Sequence, residues 1–432
     1  MRRKSIGKDL SNIKDNCICL KCVGDTVLRE IVQKDSFEVQ CSYCDQTGQG
    51  ITMNDFAKLV DEPLRANLRP GSDVPDFSSK SENIEYKQEG DTLDYLLQDV
   101  LGIEPEPAGD IIKILIDSDP AWPPDGEDPF YDELQFYIPA DISDRRYHHT
   151  WRDFSEKIKH KKRFFDEESK HFLSLIFGEP GSEMTKELSI FEIGQGTPFE
   201  KVYRARKADS KEMVQKILNN PIKELGPPPA SQATAGRMNP AGIPIFYGAM
   251  SLDTAIAETR PSIGNWVIVG EFKILKKLRL LNLPRIDFYF TGSIFHTDHD
   301  DRVAKSQFFK ILHSLIARPI QPSDELMEYI PTQVVAEYLA NVLGFDGILY
   351  SSAQVGAIRD EIEENSWTVN GKELSDEELN NCNLALFRES SLIQSDDRDC
   401  LTLSIQEDKI KIKKVTSVRY SHERDYISKE GL

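Results

Sequence analysis

Two concentrations of residues could do chemistry. Four cysteines form two knuckles, Cys19-x-x-Cys22 and Cys41-x-x-Cys44, with eighteen residues between them. That spacing lets four thiolates converge tetrahedrally on zinc, and an all-sulfur set leaves no position for water, so the metal would be structural. Five of the seven cysteines fall between positions 17 and 44, an odd cluster that suits a disulfide framework poorly; Cys17 is then a spare or alternative ligand. The second concentration is GRMNPAGIPIFYGAMSLDTAIAETR, residues 236–260. Its glycines permit close approach of backbone to a ligand, and Arg237 carries a planar fork that matches phosphate. Asn239, Tyr247 and Glu258 complete a turn, strand and helix suited to a phosphate-bearing, sugar-containing ligand.

Each of these residues alone has a plainer explanation. A Gly/Pro turn with an Arg is usually just a surface turn, a strand aromatic is usually core, and a lone Glu on a short helix is usually solvated. What joins them is position: Arg204, Arg237, Tyr247, Glu258 and the Ser351-Ser352 pair all sit on or beside expected strand ends, where an open sheet gathers distant groups into one cleft.

The elements that must hold these groups are read from periodicity. Residues 51–68, 92–103 and 108–117 show helical spacing, and 151–178 is a long amphipathic helical pattern broken near its middle. The polar stretch 69–91 reads as a long loop. From about 190 the pattern changes to short strands at 201–206, 242–249, 265–274, 278–283, 345–352 and 383–387, with LTLSI and KIKIKKV as a paired tail. Helices fit at 208–219, 252–259, 302–317 and 332–343, which makes an α+β domain the economical conclusion. The expected organisation is multidomain: a four-cysteine zinc-ribbon-like module over 1–48, a mostly helical domain over 49–185, and an α+β domain over 190–432 with an acidic surface insertion near 357–381.

Bulk properties bound the function. The 432-residue chain is 39% hydrophobic and 29% charged, enough to bury a core in two or three domains. A net charge of −19 disfavours nonspecific adhesion to nucleic acid or anionic lipid. No apolar run follows the basic start MRRKSIGKDL, and no eighteen-residue apolar stretch occurs, so the cytoplasm is the expected compartment and no membrane partner is expected. KIKHKKRFF at 157–165 reads as a solvated helix face with Phe164 and Phe165 in the core rather than a nucleic-acid patch. HTDHDD at 296–301 is expected to supply a helix N-cap from Asp300 or Asp301 rather than a metal site. GQG at 194–196 is too short for a dinucleotide fingerprint.

The order VYRAR, GRMNPAGIPIFYGA, TAIAETR, FDGILYSSA and NLALF resembles the RES domain, a family named for an Arg, a Glu and a Ser; the likeness covers about half the chain. On that resemblance Arg204, Glu258 and Ser352 correspond to the three family residues, with Ser351 a possible substitute for the serine. The half with two Cys knuckles followed by helices is similar to the HEPN/RES amino-terminal domain, although DRRYHHTW lacks the Arg–His spacing of HEPN nucleases, so no RNase activity is expected. The resemblance implies an ADP-ribosyltransferase-like fold and cleavage of NAD, as substrate, between nicotinamide and ribose. Arg204 and Arg237 would hold the pyrophosphate, Tyr203, Asn239, Tyr247 and Ser351 would complete the binding site, and Ser352 would orient Glu258 or the ribose. Glycohydrolase or phosphorylase activity, as in NAD-depleting toxins, ranks above transfer of ADP-ribose to a macromolecule, and a non-catalytic zinc-ribbon adaptor is the non-enzyme alternative. The implied partners are NAD, an antitoxin or regulatory protein, and a second copy of the chain.

Overall fold

The computed structural model describes residues 10–76, 85–119, 128–140, 145–182, 185, 188–285, 292–317, 324–355, 374–393 and 401–417. Cys400 and most of the expected acidic insertion lie outside them. Two compact units emerge, one formed by residues 1–145, 290–306 and 360–372, the other by 146–289, 307–359 and 373–432.

In the first unit, strands β1 (Cys17–Cys19), β2 (Phe37–Gln40) and β3 (Thr47–Thr52) form an antiparallel sheet in the order β1-β3-β2. The next residue starts helix Met53–Asn67, whose first turn is capped by Thr52 Oγ1 accepting from Asp55 N at 3.2 Å. Phe56, Ala57, Val60 and Leu64 recur at helical spacing and are all buried. They share one core with Ile18, Val23 and Ile51 of the cysteine module and with helices Leu93–Leu101 and Pro105–Ser118. The expected border at 48/49 therefore runs through a common core, because a knuckle of that size has too little apolar surface of its own. Within the stretch read as a loop, β4 (Leu68–Pro70) pairs with β8 (Phe136–Pro139), which also pairs β7 (Asp91–Thr92). A hairpin joins β5 (Asp73–Asp76) to β6 (Glu85–Gln88). Asp73 and Pro75 are exposed and Val74 only half-buried, so no buried face imprints an alternation that periodicity could detect.

The second unit is built on one large sheet of nine strands among the described residues: β9 (Ile190–Ile193), β10 (Lys201–Ala208), β11 (Phe246–Ala249), β12 (Trp266–Ile274), β13 (Leu278–Asn282), β14 (Gly347–Ser351), β15 (Cys382–Leu386), β16 (Leu403–Ile405) and β17 (Lys411–Lys414). The order is β16-β12-β10-β11-β15-β14-β13-β9; β13 and β14 are parallel and the other pairs antiparallel. The tail runs do not pair with each other: β16 takes the Phe272–Ile274 end of β12 and β17 its Trp266–Val269 end, so both cover the same edge. One face of the sheet buries Val202, Phe246, Phe272, Leu349 and Leu384. On another, Ala249, Val267 and Val269 receive Ala255 of helix Leu252–Glu258.

Helices Arg145–His160 and Glu167–Phe177 belong to this second unit rather than to a helical domain reaching 185. Phe154 and Phe172 stack at 5.2 Å between centroids, and Phe172 meets Phe308 edge-on at 6.1 Å. Between the two helices the chain turns, and there Phe164 and Phe165 are 74% and 95% exposed, contrary to their expected place in the core. The helical stripe ends at His160, so the pair falls in the turn, off the buried face. Helix His299–Ala317 begins earlier than expected, which puts Asp300 and Asp301 inside its first turn instead of at the N-cap. There their charges still favour the positive end of the helix dipole.

Candidate active site and metal centre

Helix Leu252–Glu258 is fixed through its first turn. Ser251 caps it by accepting from Thr254 N at 3.2 Å, and Thr254 Oγ1 donates to the Asn380 carbonyl at 2.7 Å. This presents Glu258, at the last helical position, to solvent while its carboxylate is gripped from behind. Ser352 Oγ donates to Glu258 Oε1 at 2.5 Å, and Asn383 Nδ2 donates to the same oxygen at 2.7 Å. Both donors are buried. Asn383 stands on β15 opposite Tyr350 of β14, and Ser352 directly follows β14, so adjacent strands deliver both groups to one carboxylate. Ser352 Oγ also accepts from Gln354 N at 3.2 Å.

Of the two serines, Ser352 meets the glutamate. Ser351 turns its backbone N–H to His313 Nε2 at 2.9 Å, which pins the end of β14 to helix His299–Ala317. That imidazole must stay neutral to accept the bond, and burial holds it well below its ordinary value, at about 4.

The Gly236–Gly242 turn is closed on itself. Gly236 N donates to Asn239 O at 2.8 Å, and Gln333 Nε2 donates to the Gly236 and Asn239 carbonyls at 2.8 and 3.0 Å. Asn239 Nδ2 donates to the carbonyls of Thr234, Pro240 and Ile243, while its Oδ1 accepts from the Tyr247 hydroxyl at 2.8 Å. Tyr247 in turn accepts from Met238 N at 2.9 Å. Asn239 and the Tyr247 hydroxyl thus spend their hydrogen bonds shaping the turn. Gly236 is required here because a Cβ would meet Asn239 Oδ1 at 2.7 Å and the Tyr247 hydroxyl at 2.9 Å, and Gly242 has a left-handed φ of 87°.

Arg204 and Tyr203 point to opposite faces of β10, as strand neighbours do. Tyr203 packs in the cluster beneath helix Leu252–Glu258. Arg204 lies 5.5 Å over the Phe246 ring, and its buried Nη1 has no hydrogen-bond partner among the described residues. Burial lowers its guanidinium to about 10, which leaves it charged at neutral pH. Strands β10 and β11 share a single registered pair, Tyr203 opposite Ala249, and at that parting Arg204 and Tyr247 influence one another electrostatically. Arg237 sits over the Tyr329 ring at 5.7 Å and donates from Nη1 to the Ile316 carbonyl. Two groups of site residues result: Glu258 with Ser352 and Asn383, and Arg204 with Tyr247 and Arg237. Tyr350 lies within reach of both, its phenol pushed up by burial first and then by Tyr247 and Glu258.

In the first unit the Sγ atoms of Cys19, Cys22, Cys41 and Cys44 all lie within 4.8 Å of one another. Cys19 is 3.7 Å from Cys22 and 3.6 Å from Cys44, and Cys22 is 3.8 Å from Cys41. A tetrahedron with metal–sulfur bonds of about 2.3 Å has edges of about 3.8 Å, so the set fits a zinc ion. Cys17 Sγ is turned to the Asp15 carbonyl at 3.7 Å, outside the cluster.

In comparison with known families, one family model matches a stretch that contains Arg204, Glu258 and Ser352. Residues 201–371 match the model of the RES domain family. The RES family is associated with NAD-acting, toxin-like enzymes. The matched stretch ends before β15, so Asn383, which shares the grip on Glu258 with Ser352, lies beyond it. No curated protein and no solved structure matches the chain. Sequence reasoning missed Asn383, His313 and Tyr350; Asn383 stood in a recognised block as the first residue of NLALF, and Tyr350 stood in FDGILYSSA, directly before the two serines.

Proposed function

We propose that the RES domain of this protein cleaves NAD at the bond between nicotinamide and ribose, as a glycohydrolase or phosphorylase. The observation that carries the reading is the double grip of Ser352 and Asn383 on a single oxygen of the solvent-exposed Glu258 carboxylate. Nicotinamide leaves as a neutral base from a cationic centre, so no general acid is needed at the leaving group. What the step demands is a fixed negative charge beside a developing oxocarbenium ion. With both donors on Oε1, the carboxylate cannot rotate, and its orientation is set before substrate arrives. Glu258 then offsets the charge on the ribose or activates the attacking nucleophile. The unpartnered Nη1 of Arg204 suits a pyrophosphate oxygen, since a buried cation without a counter-charge is otherwise costly. Arg237, carried by the closed turn, would add to that field.

In the other unit, zinc on Cys19, Cys22, Cys41 and Cys44 would have a structural role, four sulfurs leaving no position for substrate. NAD incubated with the protein in phosphate-free and phosphate buffers separates the acceptors. Free ADP-ribose in both buffers supports hydrolysis, and a phosphorylated ADP-ribose only with phosphate supports phosphorolysis. Label retained on protein or nucleic acid without either product would instead mark transfer to a macromolecule. Intact NAD under all conditions contradicts the proposal.

A further inference from the structure

A cavity of about 200 Å³ lies beside the Arg237 turn, and helix Arg145–His160 forms part of its wall. That helix lies outside the matched residues 201–371, although its cavity-lining residues and those of the matched stretch belong to the same compact unit. The wall combines two aromatic residues, Trp151 and Tyr329, with the cationic residues Arg152, Lys159 and Arg237. Its one carboxylate, Glu328, pairs with Lys159 at 2.6 Å, so the balance at the wall stays positive. Ser155 Oγ is buried there with no hydrogen-bond partner among the described residues. A buried hydroxyl of that kind is a standing invitation to an acceptor.

The volume is below the roughly 300–1,000 Å³ of sites that enclose a whole small molecule, so the cavity suits one end of a longer ligand. Rings for stacking, guanidinium groups for phosphate and a hydroxyl donor are together the chemistry of a nucleoside monophosphate. Tyr350 links the places, because its phenol is within electrostatic reach of Arg237 and Tyr329 in the cavity wall and of Glu258.

We propose that this cavity holds the adenosine-monophosphate end of the dinucleotide, so that a helix outside the RES domain supplies part of its substrate site. The inference rests on the NAD-cleaving reading, with the nicotinamide end at Glu258. The base stacks on Trp151, the phosphate lies between Arg152 and Arg237, and Ser155 Oγ donates to the ligand.

Two variants test it in the full chain. Ser155→Leu fills the cavity from the helix, and Arg152→Glu reverses a charge on an exposed residue with little risk to folding. AMP is expected to compete with NAD in the wild type. Both variants are expected to raise KM for NAD by on the order of tenfold with kcat nearly unchanged, as loss of uniform binding does, and to abolish competition by AMP. An unchanged KM with AMP competition intact in both variants overturns the proposal. Calorimetric titration with AMP keeps the two claims separable. Absence of AMP binding to a wild type that does cleave NAD sinks the cavity assignment alone. AMP binding that disappears in both variants supports the cavity even where no NAD is cleaved.

Discussion

Both hydrogen bonds to Glu258 fall on Oε1, and they differ in what their loss should do. Removing Asn383 leaves Ser352 to hold the carboxylate, which can then rotate. Asn383→Ala is expected to lower kcat at least tenfold with little change in KM, measured by nicotinamide release, because positioning matters most in the transition state. Arg204 makes an opposite kind of prediction. Its Nη1 is buried without a partner among the described residues, so Arg204→Gln is expected to leave the melting temperature unchanged or raise it while NAD binding is lost. A clear drop in melting temperature would show instead that the guanidinium is structural. His313 gives a pH signature. Its folded value, about 4, is depressed from 6.5, so below pH 6.5 the unfolded chain binds a proton that the folded chain refuses. Stability should fall by about 1.4 kcal/mol per pH unit from pH 6.5 towards 4, and urea melts of His313→Gln should lack that slope.

At the scale of elements, the turn at 236–242 and the cysteine knuckles are the two pieces whose shape is imposed by something other than an apolar stripe. Gly236→Ala puts a methyl group against the Asn239–Tyr247 hydrogen bond and is expected to cost roughly 1–3 kcal/mol, read from denaturant melts. The knuckles share a core with helix Met53–Asn67, so loss of metal should unfold more than residues 17–44. Elemental analysis should find zinc at one per chain, and Cys22→Ser should lose it together with helical signal in the far-ultraviolet spectrum; full helicity without metal would contradict a structural role. Long, periodic elements were legible in the sequence: the helices at 53–67 and 93–101 and strand β12 fall within a few residues of expectation. The exposed hairpin β5–β6 was not, because nothing in it is buried on one side. Phe164 and Phe165 misled for a related reason, since two aromatic residues after a helical stripe look like its continuation when the chain has already turned.

Over the whole molecule, the cysteine spacing and the GRMNPAGIP block pointed to the two candidate centres; all four cysteines of the first were legible together, but the groups that hold Glu258 were hidden by distance. Glu258 and Asn383 are 125 residues apart, and no local pattern marks an asparagine at a strand start as the group that holds a glutamate. Adjacent serines were equally undecidable until strand geometry turned Ser352, and not Ser351, onto Glu258. If NAD cleavage is the activity, expression of the chain without a restraining partner should lower cellular NAD and slow growth. The measurement closest to the central claim is nicotinamide released from NAD by the purified chain and by Glu258→Gln. The glutamine keeps an oxygen for Ser352 and Asn383 to bond, so the fold is retained while the negative charge is removed. A fall of about 100-fold or more is expected, the size seen when a preorganised electrostatic group is removed from a transition state. Equal rates of release in the two proteins would show that Glu258 is not the catalytic carboxylate.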